Sequence, residues 1–251
     1  MSDDLILEQF VRLLDSLPAG DPWPALNESG FLDLLRSEED GGAGLALEDF
    51  FPLVLAAGAR PQAAGVVETM VVRLKDPDAS GVTDAEAALD KGGATAGGGK
   101  VVAAAITAGL MAGAMERLLE TTLDYASTRK QFGREISKFQ AIQHQIAVMS
   151  EEVMAARMAA QAAFVGAPLE VSALRAGAAK ARAGQAAQQV AAIAHAVHGA
   201  IGMTQEHHLH LLTGALHRWR LVHGGETYWA RELGRWALGR DDGLVALARA
   251  M

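Results

Sequence analysis

Between Tyr125 and Gln140 the sequence holds side chains that a plain structural role does not use up. The run Tyr125-Ala-Ser-Thr-Arg129-Lys-Gln131-Phe132-Gly133-Arg-Glu-Ile136-Ser137-Lys-Phe139-Gln140 reads as a helix end, a corner broken at Gly133 and a new helix start, with Ser137 and Gln140 spaced as a capping box. A reversal of direction explains Gly133 and Ser137 and leaves Arg129, Gln131 and Phe132 over. A guanidinium fork beside aromatic rings is chemistry for holding an anion or a flat ring. The plain alternative is a surface Arg at a helix corner with two core Phe residues. A second candidate is Glu206-His207-His208-Leu209-His210, where His207 and His210 would offer two imidazoles to a metal at i, i+3. No further paired ligands stand nearby in sequence, so no metal site is expected. There is no Cys, which excludes disulfides, thiolate catalysis and Cys-ligated metal.

The elements that must position these residues are helical. With 251 residues the chain has enough length to bury a substantial core. Leu5, Ile6, Phe10, Leu13 and Leu14 form one apolar stripe, Phe31, Leu32, Leu34 and Leu35 suggest another, and a third helix runs from about 47 to 57. Pro18 to Pro24 and Asp40 to Gly44 punctuate them. In residues 64 to 100, Val66, Val67, Val71 and Val72 suggest the start of a short strand, and the rest has turn and linker composition, so at most two or three strands fit. From residue 101 onward long 3.6-period segments are predicted at about 101–128, 137–165, 170–198, 204–221 and 226–239. Short connections between them predict an antiparallel bundle. The fold class is mainly α, in three parts: 1–63, a helical N-terminal domain; 64–100, a short middle segment; and 101–251, a four- or five-helix bundle.

The formal net charge of −8 argues against a general nucleic-acid binder, because such affinity rests on clustered Lys and Arg. The start, Met1-Ser-Asp-Asp, is acidic where a signal peptide is basic, and no charge-free apolar run approaches about 18 residues, the length of a membrane span. The cytoplasm is therefore the expected location. Met111, Met115, Met149, Met154 and Met158 read as apolar-face packing, as do Trp219, Trp229 and Trp236.

The Tyr125–Gln140 run resembles the Y-x-x-x-R-x-Q-F-G-x-x-I-x-x-F-Q signature of acyl-CoA dehydrogenases at every fixed position. Residues 26 to 45, which contain Ser37-Glu-Glu-Asp-Gly-Gly-Ala-Gly44, look like the family's N-terminal helical domain with its "PEEYGGxGL" turn. His198-Gly199-Ala-Ile-Gly202-Met-Thr204-Gln-Glu206-His207 looks like its "HGGIGxTxEH". Order and spacing agree on both sides of residues 64 to 100, where the family carries a β-barrel-like middle domain. The resemblance thus implies a shortened member whose middle β-domain is reduced to a short segment.

What the resemblance implies for the corner is FAD held across a subunit interface, with Arg129 on the flavin pyrophosphate and Gln131, Phe132, Phe139, Gln140 and Gly199 around the same cofactor. Three departures weaken this site: Ala196 stands where the family has Gln, Ala200 where it has Gly, and Glu226 in the stretch matching the family's "G-G-T-x-E" would set a repelling carboxylate near a flavin phosphate. The family reaction removes the α-proton of an acyl-CoA thioester with a Glu while hydride leaves the β-carbon for flavin. The two places for that Glu match Gly224 and about Ala103, and neither is acidic. Glu226 is the best in-chain candidate for the catalytic base, with Glu206 the other nearby carboxylate. Two functions follow. One is an FAD-dependent acyl-CoA dehydrogenase that passes electrons to an electron-transfer flavoprotein. The other is a catalytically silent subunit that completes the FAD site of a full-length partner, in a homo- or hetero-oligomer. A helical binding protein without flavin is a third reading, opposed by the intact Arg129 motif.

Overall fold

A computed structural model describes residues 3–18, 20–91, 98–204, 208–239 and 245. Its α-helices in chain order are α1 (Asp3–Ser16), α2 (Trp23–Glu28), α3 (Leu47–Gly58), α4 (Ala64–Val72), α5 (Ala85–Lys91), α6 (Gly98–Thr128), α7 (Gln140–Ala163), α8 (Ala173–His198), α9 (Leu209–Leu221) and α10 (Glu226–Leu238). Among the described residues the sole sheet is a pair of two-residue antiparallel strands, β1 (Lys130–Gln131) and β2 (Arg134–Glu135). The mainly α class is as expected, with the middle β-domain reduced.

The region from 64 to 100 departs from expectation. Its valines lie in helix α4, where Val66, Val67, Val71 and Val72 are all buried. β-Branched residues favour strands only weakly, and burial on several sides of a helix overrides that preference. Residues 85 to 91 form α5, and Gly98 to Lys100 already open α6, so the described residues of this region hold no strand. The rest of the glycine-rich run, 92 to 97, lies outside the described residues.

The N-terminal stripe forms α1 with Ile6, Phe10 and Leu14 buried and Leu13 half-buried, whereas Leu5 is exposed. The second apolar group does not form an α-helix: Phe31–Asp33 is a single 3-10 turn. The α-helix lies earlier, at α2, whose Pro24 falls in the first turn, where a missing N–H costs nothing. The proposed capping box also fails. Ser137 sits inside a 3-10 turn (Ile136–Lys138), Phe139 is the residue before α7, and no side chain caps that helix.

The core is centred on α6. From Val101 to Met115 every residue is buried, so this helix is apolar on all sides and must be enclosed by protein. It is long and apolar enough by length and composition to cross a membrane, but 89% of that stretch is buried inside the fold. Helices α7 and α8 pack along it, with α3 on another side and α9 and α10 against α8. Close approach depends on small residues. A Cβ on Gly113 would stand 2.1 Å from the carbonyl oxygen of Leu55, and one on Gly58 would stand 2.1 Å from that of Leu110, so α3 and α6 cross backbone to backbone. Met111, Met115 and Met149 are buried as expected, whereas Met154 and Met158 are exposed on α7.

One buried carboxylate has no compensating cation. Glu68 of α4 is 9% exposed and joins no ion pair among the described residues. Burial, reinforced by the charge of Asp84, pushes its pKa from 4.5 up to about 7. The folded state therefore binds this proton more tightly than the unfolded chain, and stability falls as pH rises from 4.5 to 7. Glu68→Gln keeps the shape without the charge. Urea unfolding is expected to show a gain of about 1–3 kcal/mol at pH 8 and little change near pH 4.

Candidate cofactor cleft and the turn before α10

At the corner between α6 and α7 the backbone is built to present side chains outward. Lys130 pairs with Glu135 and Gln131 with Arg134, so Phe132 and Gly133 are the two loop residues of a minimal hairpin. Both have positive φ, 51° and 80°. Such tight hairpins demand left-handed residues at both positions, which suits Gly133 and disfavours a bulky aromatic at Phe132. Phe132 is in addition 91% exposed, so its ring gains nothing from the core. A residue held against its backbone preference, with its apolar surface exposed, is a candidate contact for another molecule.

The hairpin borders a cleft of about 730 Å³. Arg129, Gln131, Phe132 and Phe139 line one side, and Ala196 to Ile201, at the end of α8, line the other. The structure thus gathers Arg129, Gln131, Phe132, Phe139 and Gly199. Gln140 is exposed beside the cleft at the start of α7 and is not in its lining. Phe132 meets Phe139 edge-on at 6.1 Å, and the Arg134 guanidinium lies over that same Phe139 ring at 4.2 Å. The two walls are tied together by Tyr125, whose ring stacks on His198 at 4.4 Å and whose hydroxyl donates to the His198 carbonyl at 3.3 Å. That explains the Tyr of the sequence motif as a positioning residue. Gly199 ends α8 at φ 64°, a conformation open to glycine.

Among the described residues of its lining the cleft has an apolar floor, one guanidinium and no carboxylate. Among the described residues Arg129 joins no ion pair, and it is exposed. An aromatic ring, an apolar wall and an unpaired cation fit the adenosine and pyrophosphate part of FAD. Both Ala196 and Ala200 line the cleft, so the first offers it no hydrogen-bonding side chain and the second adds a methyl where the backbone would be approached. The one imidazole in the described lining, His198, is buried, stacked on Tyr125 and bonded through Nδ1 to the Ala194 carbonyl at 2.8 Å.

The turn between α9 and α10 is differently committed. Gly224 has φ 94°, and a Cβ there would lie 2.6 Å from Tyr228 and 2.7 Å from Trp229, so this position has no room for a carboxylate side chain. Lys180 of α8 is fully buried, and its ammonium donates to the carbonyls of Arg220 and Gly224, each at 3.0 Å. Burial lowers its pKa to about 8, partly offset by the charge of Glu226. Trp229 donates its indole N–H to the His223 carbonyl at 3.0 Å, and His223 bonds Glu86 of α5 at 2.8 Å. Ala103, at the other expected place for a base, is 1% exposed within α6.

Glu226 opens α10 and is bound to Arg220. Burial opposes its charge, but the Arg220 hydrogen bond, a backbone bond and the charges of Arg220 and Lys180 outweigh it, and its pKa lies below the usual value. It packs over Gly184 of α8, where a Cβ would stand 2.8 Å from its side chain, and it is not part of the Arg129 cleft. Glu206 and His207 lie outside the described residues. Among the described residues no group of three metal-binding side chains stands together. Sequence reasoning missed the Lys180 clamp and the Arg220–Glu226 pair. Arg220 and Glu226 are six residues apart across a turn, and a lysine in an alanine-rich helix carries no sign that it points inward.

Known proteins resemble the chain in two ways. Residues 96–234 match the family model described as acyl-CoA dehydrogenase, C-terminal domain. The acyl-CoA dehydrogenase IpdE2 of Mycobacterium tuberculosis is 37% identical over 110 residues, 43% of this chain and 33% of that protein. The 3-sulfinopropanoyl-CoA desulfinase of Paraburkholderia xenovorans is 39% identical over 103 residues, 41% of this chain and 26% of that protein. The matched stretch thus spans about a third or less of these relatives' own length. A solved FAD complex of PigA shares the fold, with a TM-score of 0.74 at 15% identity over 95% of this chain and 98% of that one.

Replacing Phe132 with Gly tests whether the ring serves the fold. Relief of the left-handed strain is expected to leave urea stability unchanged or raise it by up to about 1 kcal/mol. A loss above about 1 kcal/mol would show that the ring packs.

Proposed function

Since the chain belongs to the acyl-CoA dehydrogenase family, we propose that it is a cofactor-completing subunit: its Arg129 corner holds the adenosine and pyrophosphate end of an FAD whose catalytic surroundings a full-length partner supplies. The observation that carries this reading is the contrast between an open, aromatic corner with an unpaired guanidinium and a turn before α10 that is closed to a catalytic carboxylate. Position 224 has no space for Glu, and Lys180 binds the backbone of that turn from inside. Glu226 is stabilised as an anion by Arg220 and Lys180, which makes it a weak base.

Bound FAD supplies the hydride acceptor for α,β-dehydrogenation of an acyl-CoA thioester, with an electron-transfer flavoprotein as the next acceptor. Arg129 neutralises pyrophosphate charge, Phe132 and Phe139 offer faces and edges to a purine, and Gly199 lets the end of α8 turn away without a side chain in the cleft. Tyr125 keeps the two walls together.

A second reading is direct dehydrogenation by this chain, with Glu226 as base. It requires the Arg220–Glu226 pair to open and the carboxylate to leave its seat over Gly184. That motion breaks a partly buried ion pair, so this reading is the less favoured.

Arg129→Ala tests the corner directly. Loss of a charge-assisted contact of about 1.5–3 kcal/mol is expected to weaken FAD binding roughly 10- to 150-fold, with little change in unfolding free energy. Flavin per protomer, measured in the isolated chain and in complex with a full-length acyl-CoA dehydrogenase, reads the effect. Equal occupancy before and after the substitution in both settings would refute the role.

A further inference from the structure

A second cleft, of about 840 Å³, lies away from the Arg129 corner, between the turn after α3, the outer face of α6 and the start of α9. Three guanidiniums from three separate elements line it: Arg60, Arg117 and Arg218. Such a concentration is unexpected in a chain of net charge −8. Two carboxylates partly answer it. Asp15 accepts two bonds from Arg60, at 2.6 and 3.0 Å, and also feels the charge of Arg117, so those two cations stand close together. Arg117 pairs with Glu120 at 3.2 Å, an exposed contact of little strength. Arg218 joins no ion pair among the described residues.

Leu209, Leu211 and Leu212 supply much of the apolar part of the remaining lining, with His208 and His210 among its polar groups, and Leu211 is 48% exposed there. Cations on the rim of an apolar hollow recognise a molecule with two parts: an anionic group that draws donors from more than one Arg, and a hydrocarbon body that covers the leucines. Its size suits a small ligand of the class that fills hollows of 300 to about 1,000 Å³.

We propose that this cleft binds a small amphiphilic anion, a phosphate or carboxylate carried on an apolar chain, at a site separate from the flavin corner. Arg117 and Arg218 hold the charge, and the apolar floor holds the chain. Arg60 is committed to Asp15 and shapes the rim. The proposal is independent of the flavin reading, because none of the cleft's residues lines the Arg129 corner.

Calorimetric titration of the whole chain with octyl phosphate, octanoate, octanol and inorganic phosphate tests it. Octyl phosphate or octanoate is expected to bind, and octanol and inorganic phosphate to bind at least 10-fold more weakly, since each carries half of the recognition. The double variant Arg117→Gln, Arg218→Gln is expected to weaken the anionic amphiphile roughly 10-fold or more, while Arg129→Ala leaves that affinity unchanged. Should the double variant fold poorly, salt dependence of the wild-type affinity serves instead, and affinity is expected to fall as ionic strength rises. Octanol binding as tightly as octyl phosphate, unchanged affinity in a folded double variant, no dependence on salt, or no binding by any probe at millimolar concentration would each overturn the proposal. The phosphate and carboxylate probes together decide which headgroup the site prefers.

Discussion

Helix α6 sets the constraint on which the rest of the molecule depends. A helix buried on every side from Val101 to Met115 has no solvent face, so other elements must wrap it completely. Small residues make the wrapping close. Gly113 and Gly58 let α3 touch its backbone, and buried alanines of α8 let that helix lie along it. Because α6 is fixed along most of its length, its C-terminal end is fixed too, and the hairpin corner grows from that end. The placement of Arg129 therefore follows from core packing, and corner residues are free to face outward.

The two ends of the bundle show opposite commitments. At the corner, polar and aromatic groups are left unsatisfied by the protein: Arg129 has no ion pair among the described residues, and Phe132 stands in water with a left-handed backbone. In the turn before α10 every notable group is used internally. Lys180 binds two carbonyls, Trp229 binds a third, His223 reaches Glu86 and Glu226 reaches Arg220. Unsatisfied groups invite a ligand, and internally satisfied ones hold a shape. Cofactor binding without proton transfer is the chemistry that this division favours.

Most helices were legible in sequence because their apolar residues recur at 3.6-residue spacing over long stretches, as in α6 and α7. Local rules failed where tertiary contacts outweigh them. The valines of α4 have strand preference, yet helical packing buries them all. Ser137 and Gln140 have the spacing of a capping box, yet a 3-10 turn takes up Ser137 before α7 begins. The corner was legible as a motif, although its energetic signature was not, since a positive φ at Phe132 follows from the two-residue hairpin and cannot be read from the residue type. The fate of Glu226 was hidden for a related reason: only the fold shows that Arg220 and Lys180 converge on it. The three arginines of the second cleft come from distant parts of the chain and share no spacing.

The central claim, that this chain contributes one side of a flavin site and no base, is tested most directly by the visible absorption spectrum of the purified chain, alone and co-expressed with a full-length acyl-CoA dehydrogenase. The account predicts a colourless chain alone and a yellow complex with the bands of oxidised flavin, bleached by acyl-CoA thioester. An isolated chain that is itself yellow and bleaches with the thioester would contradict it.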